Sequence, residues 1–196
     1  MAALEALYAT PLSHSIAKEI RFVSDPYREL LASCPFAALA TAGPEGLDCS
    51  PRGDGPGFIH VLDETTLAIP DRRGNNRLDT LRNIVRDGRI ALLCMIPGWN
   101  ETFRVNGRAH VSADPALLDV LAVRHIRPTT AIVIAIETMY FQCARAVKRA
   151  QLWQPETWCD PATLPTAGTL TKAAISEFDA QSYDAALQER QARTMY

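Results

Sequence analysis

The sequence of 196 residues lacks an excess of charge of either sign. Its 20 lysines and arginines are balanced by 22 aspartates and glutamates, which leaves a formal net charge of -2 at pH 7. A chain with this balance generates no broad positive field that would attract nucleic acid or an anionic membrane. Any anion-binding site must therefore be built locally, from a few neighbouring basic groups.

Long apolar runs are also missing, although 47% of the residues are hydrophobic. No stretch approaches the roughly 20 apolar residues that a membrane-spanning helix needs. The N-terminal segment contains Glu5 and lacks the basic start and apolar block of a secretion signal. We therefore expect a soluble, cytoplasmic protein. The length suits one well-cored domain over residues 1–196.

Cysteine and histidine are too sparse and scattered to form familiar metal or disulfide patterns. The five cysteines are odd in number and include no Cys-x-x-Cys pair, so we expect free thiols, buried or half-buried. The four histidines have no partner at metal-ligand spacing. No Gly-x-Ser-x-Gly element and no Walker phosphate loop occurs either. The cysteines are Cys34, Cys49, Cys94, Cys143 and Cys159.

Short extended runs dominate the middle of the chain and are mostly joined by tight turns. They span residues 35–42, 58–63, 65–71, 89–96, 102–112 and 130–143. Most of the connections are too short for parallel crossovers, which favours antiparallel pairing. The pattern predicts a small closed barrel with peripheral helices. The continuous apolar run in the last strand predicts burial on both faces.

Asp-Pro pairs predict two helix starts, at Asp25 and at Asp114. Another helix is predicted after the central basic cluster, with Asn76 as its N-cap and Gly88 as its stop. The segment after Gln154 is loop-like and rich in proline. Residues 172–193 are predicted to form a last helix.

A basic cluster separates an extended run from the central helix. Within residues 71–77, three arginines and two asparagines surround one glycine. Free amides and the dipole at the start of the helix would favour a phosphate there. A solvated surface turn is the commoner explanation of such a cluster.

Two other polar stretches leave their role open. Residues 49–58, "CSPRGDGPGF", would let backbone approach a ligand, or they form an ordinary flexible loop. On the strand that follows "PGWNE", the side chains of Thr102, Arg104 and Asn106 share one face. That face lines a polar site or, by default, meets solvent.

The order of these stretches resembles the pyridoxamine 5'-phosphate oxidase-related flavoproteins, in a subgroup of FMN-binding proteins. The resemblance covers roughly residues 25–160 and implies a mainly β (α+β) fold. It implies an FMN-binding split β-barrel of about six antiparallel strands with peripheral helices, followed by a C-terminal loop and helical tail over residues 161–196. It also implies a homodimer with FMN at the interface. The stretches are "FAALAT", "SPRGDGPGFIHVLDETTLAIPD", "GNNRLDTLRNI", "RIALLCMIPGWNETFRVNGRAHVS" and "CARAVKRAQLWQP".

The resemblance also implies which residues bind the cofactor. The family's first FMN strand and its next strand end correspond to residues 50–52 and 69–71. Its Ser-Arg-Lys phosphate element corresponds to residues 76–78, where a leucine replaces the lysine, and Arg73 or Lys148 would restore the charge. A family glutamine corresponds to Thr102, and residues near 148–153 would reach the cofactor from the second subunit. The implied cofactor-binding residues are Ser50, Pro51, Arg52, Ile69, Pro70, Asp71, Asn75, Asn76, Arg77, Glu101, Thr102, Lys148 and Trp153.

The implied function is that of an FMN-dependent oxidoreductase with an unknown substrate. Hydride would be accepted at the flavin and passed to oxygen or another acceptor, and no catalytic base is identified. Vitamin B6 oxidation is not supported, because the chain ends "QERQARTMY" without the family's tryptophan-arginine signature. Two alternatives stay open: a non-catalytic flavin-binding or sensing protein, and a barrel that holds a deazaflavin or a tetrapyrrole.

Overall fold

The computed structural model describes residues 1–196 and contains seven strands and nine α-helices. The strands are β1 (Phe36–Gly43), β2 (Gly46–Gly53), β3 (His60–Val61), β4 (Thr66–Asp71), β5 (Arg89–Met95), β6 (Thr102–Ser112) and β7 (Thr130–Gln142). The helices are α1 (Ala2–Glu5), α2 (Ser13–Ala17), α3 (Asp25–Ser33), α4 (Asp79–Arg86), α5 (Pro115–Val120), α6 (Arg145–Arg149), α7 (Ala167–Ala174), α8 (Ala180–Ala185) and α9 (Leu187–Arg193). None of these helices has both the length and the apolar character needed to cross a bilayer.

All strands belong to one antiparallel sheet, in the order β2-β1-β5-β6-β7-β4-β3. The predicted mainly β, antiparallel fold with peripheral helices is therefore confirmed. The prediction of a closed barrel is wrong, because β2 and β3 remain the two edges of the sheet. There are also seven strands, one more than predicted. The additional strand is β2, which pairs only with β1 and carries Pro51, a residue that an edge strand tolerates.

The sheet curves around one hydrophobic core. Twenty buried residues form this core, and they come from strands near both edges of the sheet as well as from its centre. Phe103 at the start of β6, Leu39 on β1 and Leu67 on β4 are fully buried in it. The two ends of the sheet therefore approach each other across a shared interior.

The predicted two-sided burial of the last strand holds only for four residues near the start of β7. Residues 131–134 are all buried. Ile132 and Ile134 belong to the main core, whereas Ala131 packs in a second cluster with Leu118 and Leu121, in and after α5. Beyond this segment, buried and exposed positions alternate.

The helix boundaries agree with the sequence only in part. The start at Asp114 is confirmed, because its side chain accepts a hydrogen bond from the Ala116 N–H at 3.1 Å. Asn76 is not an N-cap: α4 begins three residues later, and both Asn76 and Leu78 adopt left-handed backbone conformations. Asn75 instead accepts the Arg77 N–H through its side chain.

The C-terminal segment and the cysteines also correct the predictions. The single last helix is divided into α7, α8 and α9. Cys34 and Cys94 are buried free thiols, as expected, but Cys49, Cys143 and Cys159 are exposed. Cys49 lies on the edge strand β2, Cys143 directly follows β7, and Cys159 lies in the proline-rich segment. Little of the chain covers these positions.

A close approach of β6 to β7 makes Gly107 necessary. The register shifts between Asn106 and Gly107, and a Cβ atom added at Gly107 would lie 2.1 Å from the Ala135 carbonyl oxygen. That contact is with backbone, so the strands themselves would have to move.

We predict that Gly107→Ala lowers the free energy of unfolding by about 1–3 kcal/mol, because overpacking forces a backbone shift. Urea unfolding followed by circular dichroism measures it. Gly55→Ala is the control, because a Cβ atom there meets nothing within 4 Å. A Gly107→Ala protein as stable as the wild type would contradict the packing of β6 against β7.

Candidate functional site

A cavity of about 690 Å³ lies where the two ends of the sheet approach each other. One wall is the edge strand β2, and the opposite wall is the end of β4 with Thr129 and Thr130 at the start of β7. The loop of residues 72–78 and the first turn of α4 form a third side. The volume is within the range of small-molecule and cofactor sites, roughly 300–1,000 Å³.

The structure brings most of the predicted cofactor-binding residues to this cavity. Ile69 is fully buried in the core and does not line the cavity. Glu101, Thr102, Lys148 and Trp153 do not line it either. The residues that do line it are Ser50, Pro51, Arg52, Pro70, Asp71, Asn75, Asn76 and Arg77.

The remaining predicted residues lie around the start of β6 and the end of α6. Thr102 is the first residue of β6 and is buried, and Lys148 is exposed on α6. The Trp153 indole N–H donates to the Trp99 carbonyl oxygen at 2.7 Å. This bond holds the segment after α6 against the loop before β6, so these residues form a second group outside the cavity.

The cavity wall is locally positive although the chain as a whole is slightly negative. Four arginines and three aspartates line it. Arg77 pairs with Asp79 at 2.5 Å, and both side chains are largely open to solvent. Arg52 and Arg73 form no salt bridge. Arg73 is therefore available to replace the lysine that is missing at Leu78.

Two buried polar atoms on the cavity wall have no hydrogen-bond partner. They are the Arg52 Nε and the Thr130 Oγ1, and no other buried side-chain nitrogen or oxygen is unpaired. Leaving such a group unpaired typically costs about 1–3 kcal/mol. Both residues line the same cavity, Arg52 from β2 and Thr130 from the start of β7.

Asp71 adds an ionisable group beside these atoms. It faces Thr130 in the β4–β7 ladder, and its carboxylate has no hydrogen-bond partner. Burial raises the pKa of the Asp71 carboxyl, and attraction to the Arg52 guanidinium offsets only part of this effect. The wall thus combines donors with a carboxyl group that keeps its proton to higher pH than usual.

Sequence reasoning missed several residues of the site. Thr130 carries no motif, and its role follows only from the pairing of β7 with β4. Asp48 accepts hydrogen bonds from Ser50 Oγ at 3.0 Å and from Thr80 Oγ1 at 2.5 Å, which connects β2 with α4. Arg72 was part of the basic cluster, but nothing in the sequence indicated its partner.

Comparison with known families agrees with this architecture. A family model described as pyridoxamine 5'-phosphate oxidase matches residues 23–143, which is more than half of the chain. The chain therefore belongs to the pyridoxamine 5'-phosphate oxidase family. No curated protein matches the sequence.

Solved structures resemble this chain at low sequence identity. A variant of HupZ from Group A Streptococcus is 18% identical, with a TM-score of 0.50, over 61% of this chain and 99% of that chain. General Stress Protein 26 from Bacillus anthracis is 16% identical, with a TM-score of 0.45, over 58% and 88%. An F420 reductase is 20% identical, with a TM-score of 0.43, over 61% and 98%. Only the likeness to HupZ reaches a TM-score of 0.50, and at 18% identity it concerns the fold alone.

The raised pKa of Asp71 leads to a prediction about stability. Such a carboxyl stabilises the fold fully below its unfolded-state pKa, and this contribution is lost as pH rises through its folded-state pKa. An asparagine side chain at the same position would remain neutral throughout. We predict that Asp71→Asn is more stable than the wild type at pH 7 and that the difference disappears towards pH ~3.

Urea unfolding at a series of pH values measures this difference. A variant that is less stable at pH 7 and equal to the wild type in acid would show that the carboxylate of Asp71 is stabilised in the fold, contrary to its burial without a partner.

Proposed function

We propose that the protein binds FMN in the cavity between β2 and the end of β4 with the start of β7, and acts as an FMN-dependent oxidoreductase. The observation that carries this proposal is that two residues lining one cavity, Arg52 and Thr130, each contain a buried polar atom, Nε and Oγ1, without a hydrogen-bond partner. A flavin offers carbonyl, ring nitrogen and hydroxyl groups that can pair with both. Membership of the oxidase family supports the same choice of ligand.

The residues present fit the two chemically different ends of FMN. The phosphate needs positive charge and amide donors, which the loop of residues 72–78 and the start of α4 supply. Arg73, which has no carboxylate partner, takes the place of the family's lysine at Leu78. The polar edge of the ring system or the ribityl chain would lie against Arg52 and Thr130.

The cofactor, when bound, would supply the hydride chemistry. The chain's own contribution is to hold the ligand, to exclude water and to present one ionisable group. That group is Asp71, whose half-buried carboxyl group lines the cavity and can exchange a proton with a substrate near the ring.

We also propose a homodimer in which a second copy completes the site. Glu101, Thr102, Lys148 and Trp153 lie outside the cavity of their own chain. The same residues of a second copy would cover the open side of the cavity. Bound FMN would then stabilise the dimer through linkage.

We predict that Arg52→Ala lowers the affinity for FMN at least about tenfold, because a charge-assisted hydrogen bond is lost. Thr130→Val should lower it less, without loss of stability, because the hydroxyl is unpaired in the protein alone. Titration followed by quenching of flavin fluorescence measures both. Arg127→Ala is the control, because Arg127 pairs with Asp119 outside the cavity.

Equal FMN affinity in Arg52→Ala and the wild type would refute the cavity as the flavin site. If FMN binds in the cavity, oxidation of reduced nicotinamide by the FMN-loaded wild type would show that the protein is an enzyme and not only a flavin-binding protein. Binding without turnover of any donor would favour the non-catalytic alternative.

A further inference from the structure

Asp54, just after β2, joins the basic loop to the C-terminal segment. Its Oδ2 accepts a hydrogen bond from Arg72 Nε at 2.7 Å, and its Oδ1 accepts one from the Tyr196 hydroxyl at 2.8 Å. The Gly55 N–H donates to the same carboxylate at 2.7 Å. The Asp54 and Arg72 side chains are only 7% and 15% exposed. This is therefore a largely shielded ion pair in which both carboxylate oxygens accept hydrogen bonds.

The Tyr196 ring adds a second contact to the same arginine. The guanidinium carbon of Arg72 lies 5.9 Å from the ring centroid, and that of Arg124 lies 5.7 Å from it. A cation within about 6 Å of an aromatic face is attracted to it. Arg72 is therefore held at Nε by Asp54 and along its guanidinium by Tyr196.

These contacts leave part of Arg72 free. Its Nε is used, but the two terminal Nη groups donate to no protein acceptor. Arg72 also lines the cavity. A guanidinium has five N–H donors in a rigid fork, so fixing Nε on one carboxylate fixes the direction of the other donors.

We propose that Tyr196 and Asp54 are positioning residues that hold Arg72 for the phosphate of a bound phosphomonoester. This inference rests on the proposed function, in which that phosphomonoester is FMN. Arg72 contacts the phosphate, whereas Tyr196 and Asp54 act through Arg72. The positioning concerns the phosphate alone and leaves the ring contacts of the ligand unchanged.

The opposite role for the same contacts would be to withdraw Arg72 from the ligand. The two roles predict opposite effects when the Tyr196 hydroxyl is removed. Tyr196→Phe keeps the ring and alters no charge, so it tests the hydrogen bond to Asp54 without changing the local field. Changing Asp54 itself would remove a negative charge near the phosphate and would mix the two effects.

The test compares the dissociation constants of FMN and of riboflavin, which has the same ring and no phosphate. We expect Tyr196→Phe to weaken FMN binding about three- to tenfold, and Arg72→Ala to weaken it more than tenfold. Riboflavin affinity should change less than about twofold in both variants. A purely structural role would weaken both ligands alike.

Tyr183→Phe is the matched control. Tyr183 lies in the same C-terminal segment and also stacks on an arginine, with Arg190 4.3 Å from its ring centroid, but its hydroxyl makes no hydrogen bond. It should leave both affinities unchanged. Thermal unfolding of each variant confirms that it is folded.

The outcomes separate this inference from the proposed function. A wild type that binds FMN, with FMN affinity unchanged or increased in Tyr196→Phe, would overturn the positioning role and leave the FMN site standing. Equal loss for FMN and riboflavin would overturn it in favour of a structural role. A wild type that binds neither ligand would overturn both.

Discussion

The site depends on the gap that remains because the sheet does not close. β2 pairs with β1 along one edge only, and the β4–β7 pair lies across the gap. If the two ends of the sheet paired, the wall groups Arg52 and Thr130 would face another strand instead of a cavity. Two residues that line the cavity of this open sheet contain buried polar atoms without a partner, and such atoms are rare in folded proteins.

The gap is kept in shape by polar contacts that join α4 to the first two strands. Thr80 at the start of α4 donates to Asp48 on β2, and Asn83 donates to Thr41 on β1 at 3.1 Å. Both α4 residues are buried, so the bonds are shielded from water. They place the basic loop before α4 at the mouth of the gap. The positive charge needed for an anion is therefore local, as a chain with a net charge of -2 requires.

Much of the fold could be predicted from the sequence. Alternating or continuous apolar residues indicated β1 and β4 to β7, because these strands bury side chains in the core. The strand β2 was missed because it lies at the edge of the sheet and buries almost no apolar side chain. Its sequence therefore shows no hydrophobic periodicity. Asn76 fails as an N-cap because the backbone is left-handed at Asn76 and Leu78, so that α4 begins only at Asp79.

The site was predictable only where the family resemblance applied to contiguous residues. The β2 and loop residues were placed in one cavity, whereas Thr130, Asp48 and Tyr196 act through partners 32 or more residues away or across the sheet. Such pairings depend on sheet register and on the path of the C-terminal helices. No local pattern in a single sequence encodes them.

The most direct test of the account is a crystal structure of the protein after incubation with FMN. The account predicts flavin density in the gap, with Arg52 and Thr130 paired to polar atoms of the ligand and the phosphate at the loop of residues 72–78. Flavin density elsewhere in the protein would contradict it. A gap that contains only water after incubation with FMN, with Arg52 and Thr130 still unpaired, would also contradict it.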